Sequence, residues 1–159
     1  MLEKTLSSPI EEIKVVFCDE ELLAISPLLK DINDKEGHIY WHDLVYRANL
    51  QGNMGSYVYG HIIERTKLES KDITPDYIFV KLSDNFHSKA TMVKPKGKYI
   101  IGWQKGDTYN LEKLYNRLFN YIEEKEFKII GNSYEIFLID DSLSKEDSEH
   151  LLQVYIQVV

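Results

Sequence analysis

The spacing of apolar and polar residues changes period several times along this chain, and each change marks an element. Residues 1–12 are polar, broken by Ser7-Ser8-Pro9, and read as a leader into the fold. Ile13 to Phe17 alternates as a strand does. Asp19-Glu20-Glu21 then turns the chain into a second strand, Leu22 to Ile25, which ends near Pro27. Residues 30–38 read as a charged loop closed by Gly37. From Ile39 to Leu50 the period lengthens: Trp41, Leu44, Val45 and Ala48 fall at i, i+3, i+4 and i+7 and predict one face of a helix, stopped by Gly52 and Gly55.

The pattern then repeats. Tyr57 to Ile63 predicts a strand, a polar turn runs through Lys71-Asp72, and Tyr77 to Val80 predicts another strand. Phe86 to Val93 and Lys98 to Trp103 read as a pair of strands linked at Pro95-Lys96-Gly97. Asp107 or Thr108 is placed to cap a long helix from Tyr109 to Glu126, whose Leu111, Leu114, Tyr115, Leu118 and Ile122 keep helical spacing and face a sheet. Strands over 128–139 and 151–158, separated by an acidic loop at 140–150, complete the chain. Strand, strand, helix, strand, strand therefore occurs twice, and Tyr57-Val58-Tyr59-Gly60 takes the slot that Asn132-Ser133-Tyr134-Glu135 takes later. Two such units related by a pseudo-twofold axis predict an α+β fold: a mostly antiparallel sheet with two main helices on one face. A cleft between helices and sheet is the natural ligand site.

One residue breaks the apolar pattern. Glu135 is followed by Ile136, Phe137, Leu138 and Ile139, which put apolar side chains on both faces of a strand and predict a strand covered on both sides. A carboxylate there is costly unless it is paired, hydrogen-bonded or neutralised. No arginine stands beside it. Aromatic residues do: Tyr134 next to it, Trp103 and Tyr99 upstream, in a chain with 11 Tyr and 2 Trp. Such a carboxylate suits a lipophilic cation, each ring contributing roughly 0.5–2 kcal/mol. The alternative is a glutamate at a sheet edge with its head in water, and the aromatics are equally those of a packed core.

Composition narrows the functions. The 159 residues fit one domain with room for a sizeable core. With 19 basic and 26 acidic residues the formal charge is −7, a surface that repels phosphate backbones, so this polypeptide is not expected to bind DNA by itself. Cys18 is the one cysteine and reads as a buried small hydrophobe, which leaves no intrachain disulfide and no thiolate metal cluster. No basic-then-apolar leader and no apolar run of membrane-spanning length is present, which points to the cytoplasm and away from a membrane. His38 and His42, four apart, have no third ligand nearby, and His61 three residues before Glu64 makes no better site. All three read as solvated, and no metal or cofactor is called for. A nucleophile elbow and a phosphate-cradling glycine loop are likewise missing, so no catalytic residue is assigned.

The order Pro95-Lys96-Gly97-Lys98-Tyr99, then a helix with Leu111, Leu114, Leu118 and Tyr121-Ile122, then Ser133-Tyr134-Glu135 resembles the effector-binding domain of MerR-family multidrug regulators. BmrR and BltR represent these regulators, and the wider group is called GyrI-like. The likeness is strongest over 95–158. It implies the GyrI-like fold over residues 1–159 as a single effector domain, with a winged-helix DNA-binding domain and a dimerising helix absent from this chain. DNA contact would come through that separate N-terminal domain. A homodimer would form through the missing helix, since no heptad pattern here sustains one.

The resemblance also implies site residues. Glu135 matches the glutamate that meets a cationic drug at the bottom of the pocket. Trp41 falls where a pocket tyrosine is expected, and Tyr59-Gly60 matches a pocket tyrosine followed by glycine. Tyr109 and Tyr155 are candidates for the remaining aromatics, joined by Trp103 and Tyr134 as neighbours of the carboxylate. The expected function is binding of hydrophobic, often cationic small molecules for a transcription activator of multidrug efflux. A second reading is a stand-alone GyrI-like hydrolase that uses the same glutamate as base. A third is a protein inhibitor whose acidic surface mimics nucleic acid, although the acids are scattered.

Overall fold

The computed structural model describes residues 12–50, 58–84, 89–140 and 143–159. Gly52, Gly55, Tyr57, most of the leader and the start of the Phe86 strand lie outside the described residues.

Among the described residues, eight strands form one antiparallel sheet in the order β1-β6-β8-β7-β3-β4-β2-β5. They are β1 (Lys14–Cys18), β2 (Glu21–Ile25), β3 (Tyr59–Ile63), β4 (Tyr77–Leu82), β5 (Met92–Lys94), β6 (Gly97–Lys105), β7 (Ile129–Ile139) and β8 (Leu151–Val158). Among the described residues three α-helices accompany them: α1 (Asp34–Leu50), α2 (Arg65–Glu69) and α3 (Glu112–Glu124). The doubled order is present, with β2-α1-β3-β4 answering β6-α3-β7-β8 about the β3–β7 junction. The outermost strand of each half comes from the other half, since β1 pairs with β6 and β5 with β2. This is the GyrI-like α+β arrangement. β5 and β6 are thus not the hairpin that the sequence predicts.

That exchange bends the sheet. β5 is last in the order and β6 second, so a flat sheet would hold them roughly 29 Å apart at about 4.8 Å per strand. Only Pro95 and Lys96 connect them, and three Cα steps reach no more than about 11 Å. The sheet has to curl. Its concave side is filled by Leu23, Ile62, Phe79, Tyr99, Ile101, Tyr134 and Ile136 as one buried cluster, with Cys18 half buried at its margin. Burial pushes the Cys18 thiol pKa up.

The convex side carries the helices. Leu111, just before α3, and Leu114, Tyr115, Leu118 and Ile122 of α3 pack with Ile100, Leu152, Val154 and Ile156. α1 sets Leu44 and Trp41 against Leu22, Ala24, Val80 and Tyr59.

Two helix starts differ from the sequence expectation. α1 begins at Asp34, so Gly37 lies inside it. Asn33 Oδ1 accepts the Glu36 N–H at 2.8 Å while Glu36 Oε1 accepts the Asn33 N–H at 3.3 Å, a reciprocal cap that starts the helix early. α3 begins at Glu112, because Asp107 sits at φ 44°, a left-handed conformation that an N-cap does not adopt. Gln104 Nε2 stitches that turn by donating to the carbonyls of Asp107 and Asn110 at 2.7 and 2.9 Å. The polar turn before Tyr77 contains α2, anchored by buried Leu68.

At the β3–β7 junction Gly60 lies opposite Ile136. A Cβ on Gly60 would stand 1.6 Å from the Glu135 carbonyl oxygen, so the two halves meet there at backbone distance. Gly60→Ala is expected to force the strands apart and destabilise the fold by about 1–3 kcal/mol, read as a lower urea midpoint; an unchanged midpoint would contradict this account of the junction.

Candidate functional site

Strand alternation decides what can surround Glu135. Along β7, Ser133, Glu135 and Phe137 point to the α3 side, and Tyr134 and Ile136 to the concave side. β3 runs antiparallel beside it with His61 directly opposite Glu135, and Tyr59 shares the face of His61. α3 adds Tyr115 from above, one turn beyond Leu111.

Glu135 is 2% exposed, yet each of its oxygens has a partner. The Tyr115 hydroxyl donates to Oε2 at 2.7 Å, and His61 Nδ1 lies 3.4 Å from Oε1. Tyr115 and Ser133 are also hydrogen-bonded, at 2.7 Å. A phenol has one hydrogen, which goes to the carboxylate, so Ser133 donates to Tyr115 and the order is Ser133 to Tyr115 to Glu135. Burial first, and the charge of Glu135 second, push the Tyr115 pKa well above its usual value, keeping it a donor.

The carboxylate floors a cleft of about 650 Å³. Its apolar walls are Ile73, Pro75, Leu111, Phe119 and Phe137, and buried Thr108 with Tyr109, Asn110, Asn116, Lys71 and Glu112 complete its lining. An aromatic series leads away from the floor. His61 meets the Phe137 ring edge-on at 5.3 Å, Phe137 stacks on Tyr59 at 5.4 Å, and Tyr59 meets Trp41 at 5.0 Å.

Four of the seven residues named from the sequence therefore lie on this face. Glu135 is the floor, Tyr109 stands 82% exposed at the mouth, and Tyr59 and Trp41 extend the aromatic wall. Trp41 itself borders a neighbouring hollow with Leu29, His38 and Ile78. The other three do not wall Glu135. Tyr134, Tyr155 and Trp103 lie on the concave face with Tyr99. Tyr134 is turned away because it is adjacent to Glu135, and adjacent strand residues face opposite sides.

The concave rings already have a cation. Lys94, itself 2% exposed, places Nζ 4.5 Å from the Tyr99 ring, 4.4 Å from Tyr155 and 5.7 Å from Tyr134, with Glu21 Oε2 at 3.8 Å. Burial lowers the Lys94 pKa and Glu21 pulls part of it back.

His61 and Tyr115 were missed, as were Phe119 and Phe137. His61 is not the solvated residue expected, since it is 29% exposed in its side chain and faces a carboxylate. Phe137 could have been found two positions beyond Glu135, and Tyr115 on the buried helix face. His38 and His42 are exposed as expected. Among the described residues no cluster of three His, Cys, Asp or Glu is placed to hold a metal, and no helix is long and apolar enough to cross a membrane.

No established family profile matches the chain. In sequence, 99% of it aligns at 23% identity with the multidrug-efflux transporter 2 regulator of Bacillus subtilis strain 168, covering 58% of that protein. In structure it is similar to EcmrR in the cryo-EM structure of the EcmrR–DNA complex in EcmrR-RPo, with TM-score 0.65 at 15% identity over 99% of this chain and 60% of that one. It is also similar to a crystal structure of a hydrolase from Listeria innocua, with TM-score 0.61 at 11% identity over 99% of this chain and 97% of that one. The chain spans about three fifths of the Bacillus subtilis regulator and of EcmrR, and nearly all of the hydrolase.

Tyr115→Phe removes a hydrogen bond to a buried charge and leaves Ser133 without its acceptor. It is expected to cost about 1.5–3 kcal/mol in urea unfolding, and a loss under about 0.5 kcal/mol would mean that Tyr115 does not support Glu135.

Proposed function

We propose that this chain, similar along 99% of its length to a multidrug-efflux transporter regulator, is the ligand-binding domain of a multidrug-sensing transcription regulator of the MerR type. Its effector is a hydrophobic, often cationic small molecule. DNA contact is left to a separate domain, in keeping with the charge of −7, and the site of action is the cytoplasm.

The observation that carries this reading is Glu135 at the floor of an apolar and aromatic cleft. The buried carboxylate has two neutral-capable donors and no Lys or Arg within ion-pair distance among the described residues. A ligand cation entering there gains an anion in a site of low polarity, and flat apolar area from Phe119 and Phe137. Selection then rests on charge and area rather than on directed hydrogen bonds, which gives broad specificity.

The second reading is a hydrolase, favoured by the likeness to the Listeria innocua enzyme over 97% of that chain and by a carboxylate with His61 and Tyr115 beside it. Glu135 would then act as general base toward an electrophilic substrate, with Tyr115 holding it in place.

One variant separates the two. Glu135→Gln, titrated at pH 8 by tryptophan fluorescence, is expected to weaken tetraphenylphosphonium at least about tenfold and neutral triphenylphosphine oxide less than about twofold, at least about 1 kcal/mol apart. Equal losses for both would overturn the counter-ion role. Turnover of p-nitrophenyl acetate by the wild type that vanishes in the variant would favour the hydrolase.

A further inference from the structure

His61 meets both the buried carboxylate and the open cleft. Its Nδ1 is 3.4 Å from Glu135 Oε1, and its side chain is 29% exposed where that of Glu135 is 3% exposed. It also borders the adjoining hollow formed by Lys30, Glu64, Lys67, Asp72 and Asp76. Any cation that reaches Glu135 from the cleft must come to rest beside this imidazole.

The charge of the pair depends on one proton. A neutral imidazole offers Glu135 a single N–H at most and leaves the carboxylate's charge for a ligand. A protonated one sets a full positive charge against Oε1 and makes the pair neutral. The ligand cation then meets a filled counter-ion site and a like charge beside it.

Charged and titratable groups face His61 from several elements. From β7 comes Glu135 itself. α3 brings Tyr115, kept protonated, and Glu112 at the rim. The segment after α2 brings Lys71, Asp72 and Asp76, and Asp76 is paired with Lys67 of α2 at 3.1 Å. Glu64, just after β3, accepts the Tyr77 hydroxyl at 2.7 Å, and Lys30 comes from the β2–α1 connection. β4 places Ile78 opposite His61, and α1 contributes Trp41 through Tyr59. Histidine is the side-chain type in this set whose ordinary titration lies between pH 5 and 8.

We propose that His61 is a proton-operated competitor for Glu135, so that a cationic effector and a proton exclude one another at this site. The proposal rests on the cation-binding reading above and names its regulation. Cation binding expels a proton from His61, and by linkage acidification expels the cation. Neutral ligands of the same shape are indifferent to the switch, which makes His61 a determinant of which effectors are sensed at a given pH.

The test is calorimetric titration of the chain with tetraphenylphosphonium at pH 8 and pH 5.5, each in two buffers of different ionisation heat. Affinity is expected to fall about tenfold from pH 8 to pH 5.5, with release of close to one proton per cation bound at the lower pH. In His61→Gln the ratio of the two affinities is expected to shrink to within about twofold, whatever its affinity at pH 8. Wild-type binding at pH 8 with no proton release at pH 5.5 overturns the proposal and leaves the cation-binding reading standing. The same pH ratio in His61→Gln also overturns it, by assigning the titration to Glu135. No binding at pH 8 overturns the cation-binding reading, and this proposal with it.

Discussion

Moving a carboxylate out of water costs several kcal/mol unless its oxygens are met by donors or by charge. Glu135, 2% exposed in the middle of β7, imposes that requirement on everything near it. Tyr115 comes from the helix, Ser133 supports Tyr115 from the same strand, and His61 comes from the neighbouring strand of the other half of the fold. The site therefore exists only where the two repeats meet. Gly60 makes that meeting close, because its missing side chain lets the Glu135 carbonyl occupy the space a Cβ would take.

The two faces of β7 show the same chemistry in opposite states of completion. On the concave face three tyrosine rings surround the Lys94 ammonium, and Glu21 supplies its counter-ion. That arrangement is internal and filled, and it sits where the bent sheet has to bury its lining. On the convex face the anion is the fixed partner, the walls are Phe119 and Phe137, and the cleft is open. One face is thereby core and the other is suited to exchange with solution.

Much of the architecture was legible from periodicity, because the doubled strand and helix order lies in patterns of two and of three to four residues. The burial of Glu135 was legible for the same reason. What was not legible followed from pairing between strands remote in sequence. β5 pairs with β2 rather than with β6, and His61 lies across from Glu135, and neither fact leaves a local trace. Nearness in sequence also misled. Tyr134 looked like a wall of the carboxylate site, although a strand sends neighbours to opposite faces. The early start of α1 was readable after all, since Asn33 and Glu36 have the spacing of a reciprocal cap.

The central claim is that the Glu135 cleft, and not the tyrosine face behind it, receives a lipophilic cation. A crystal structure of the chain with tetraphenylphosphonium tests this most directly. The account predicts the phosphonium centre within about 6 Å of the Glu135 carboxylate, its phenyl groups against Phe119 and Phe137, and Lys94 still seated among Tyr99, Tyr134 and Tyr155. A ligand lodged among those tyrosines with Lys94 displaced, or one bound elsewhere while Tyr115 and His61 keep Glu135 closed, would contradict it.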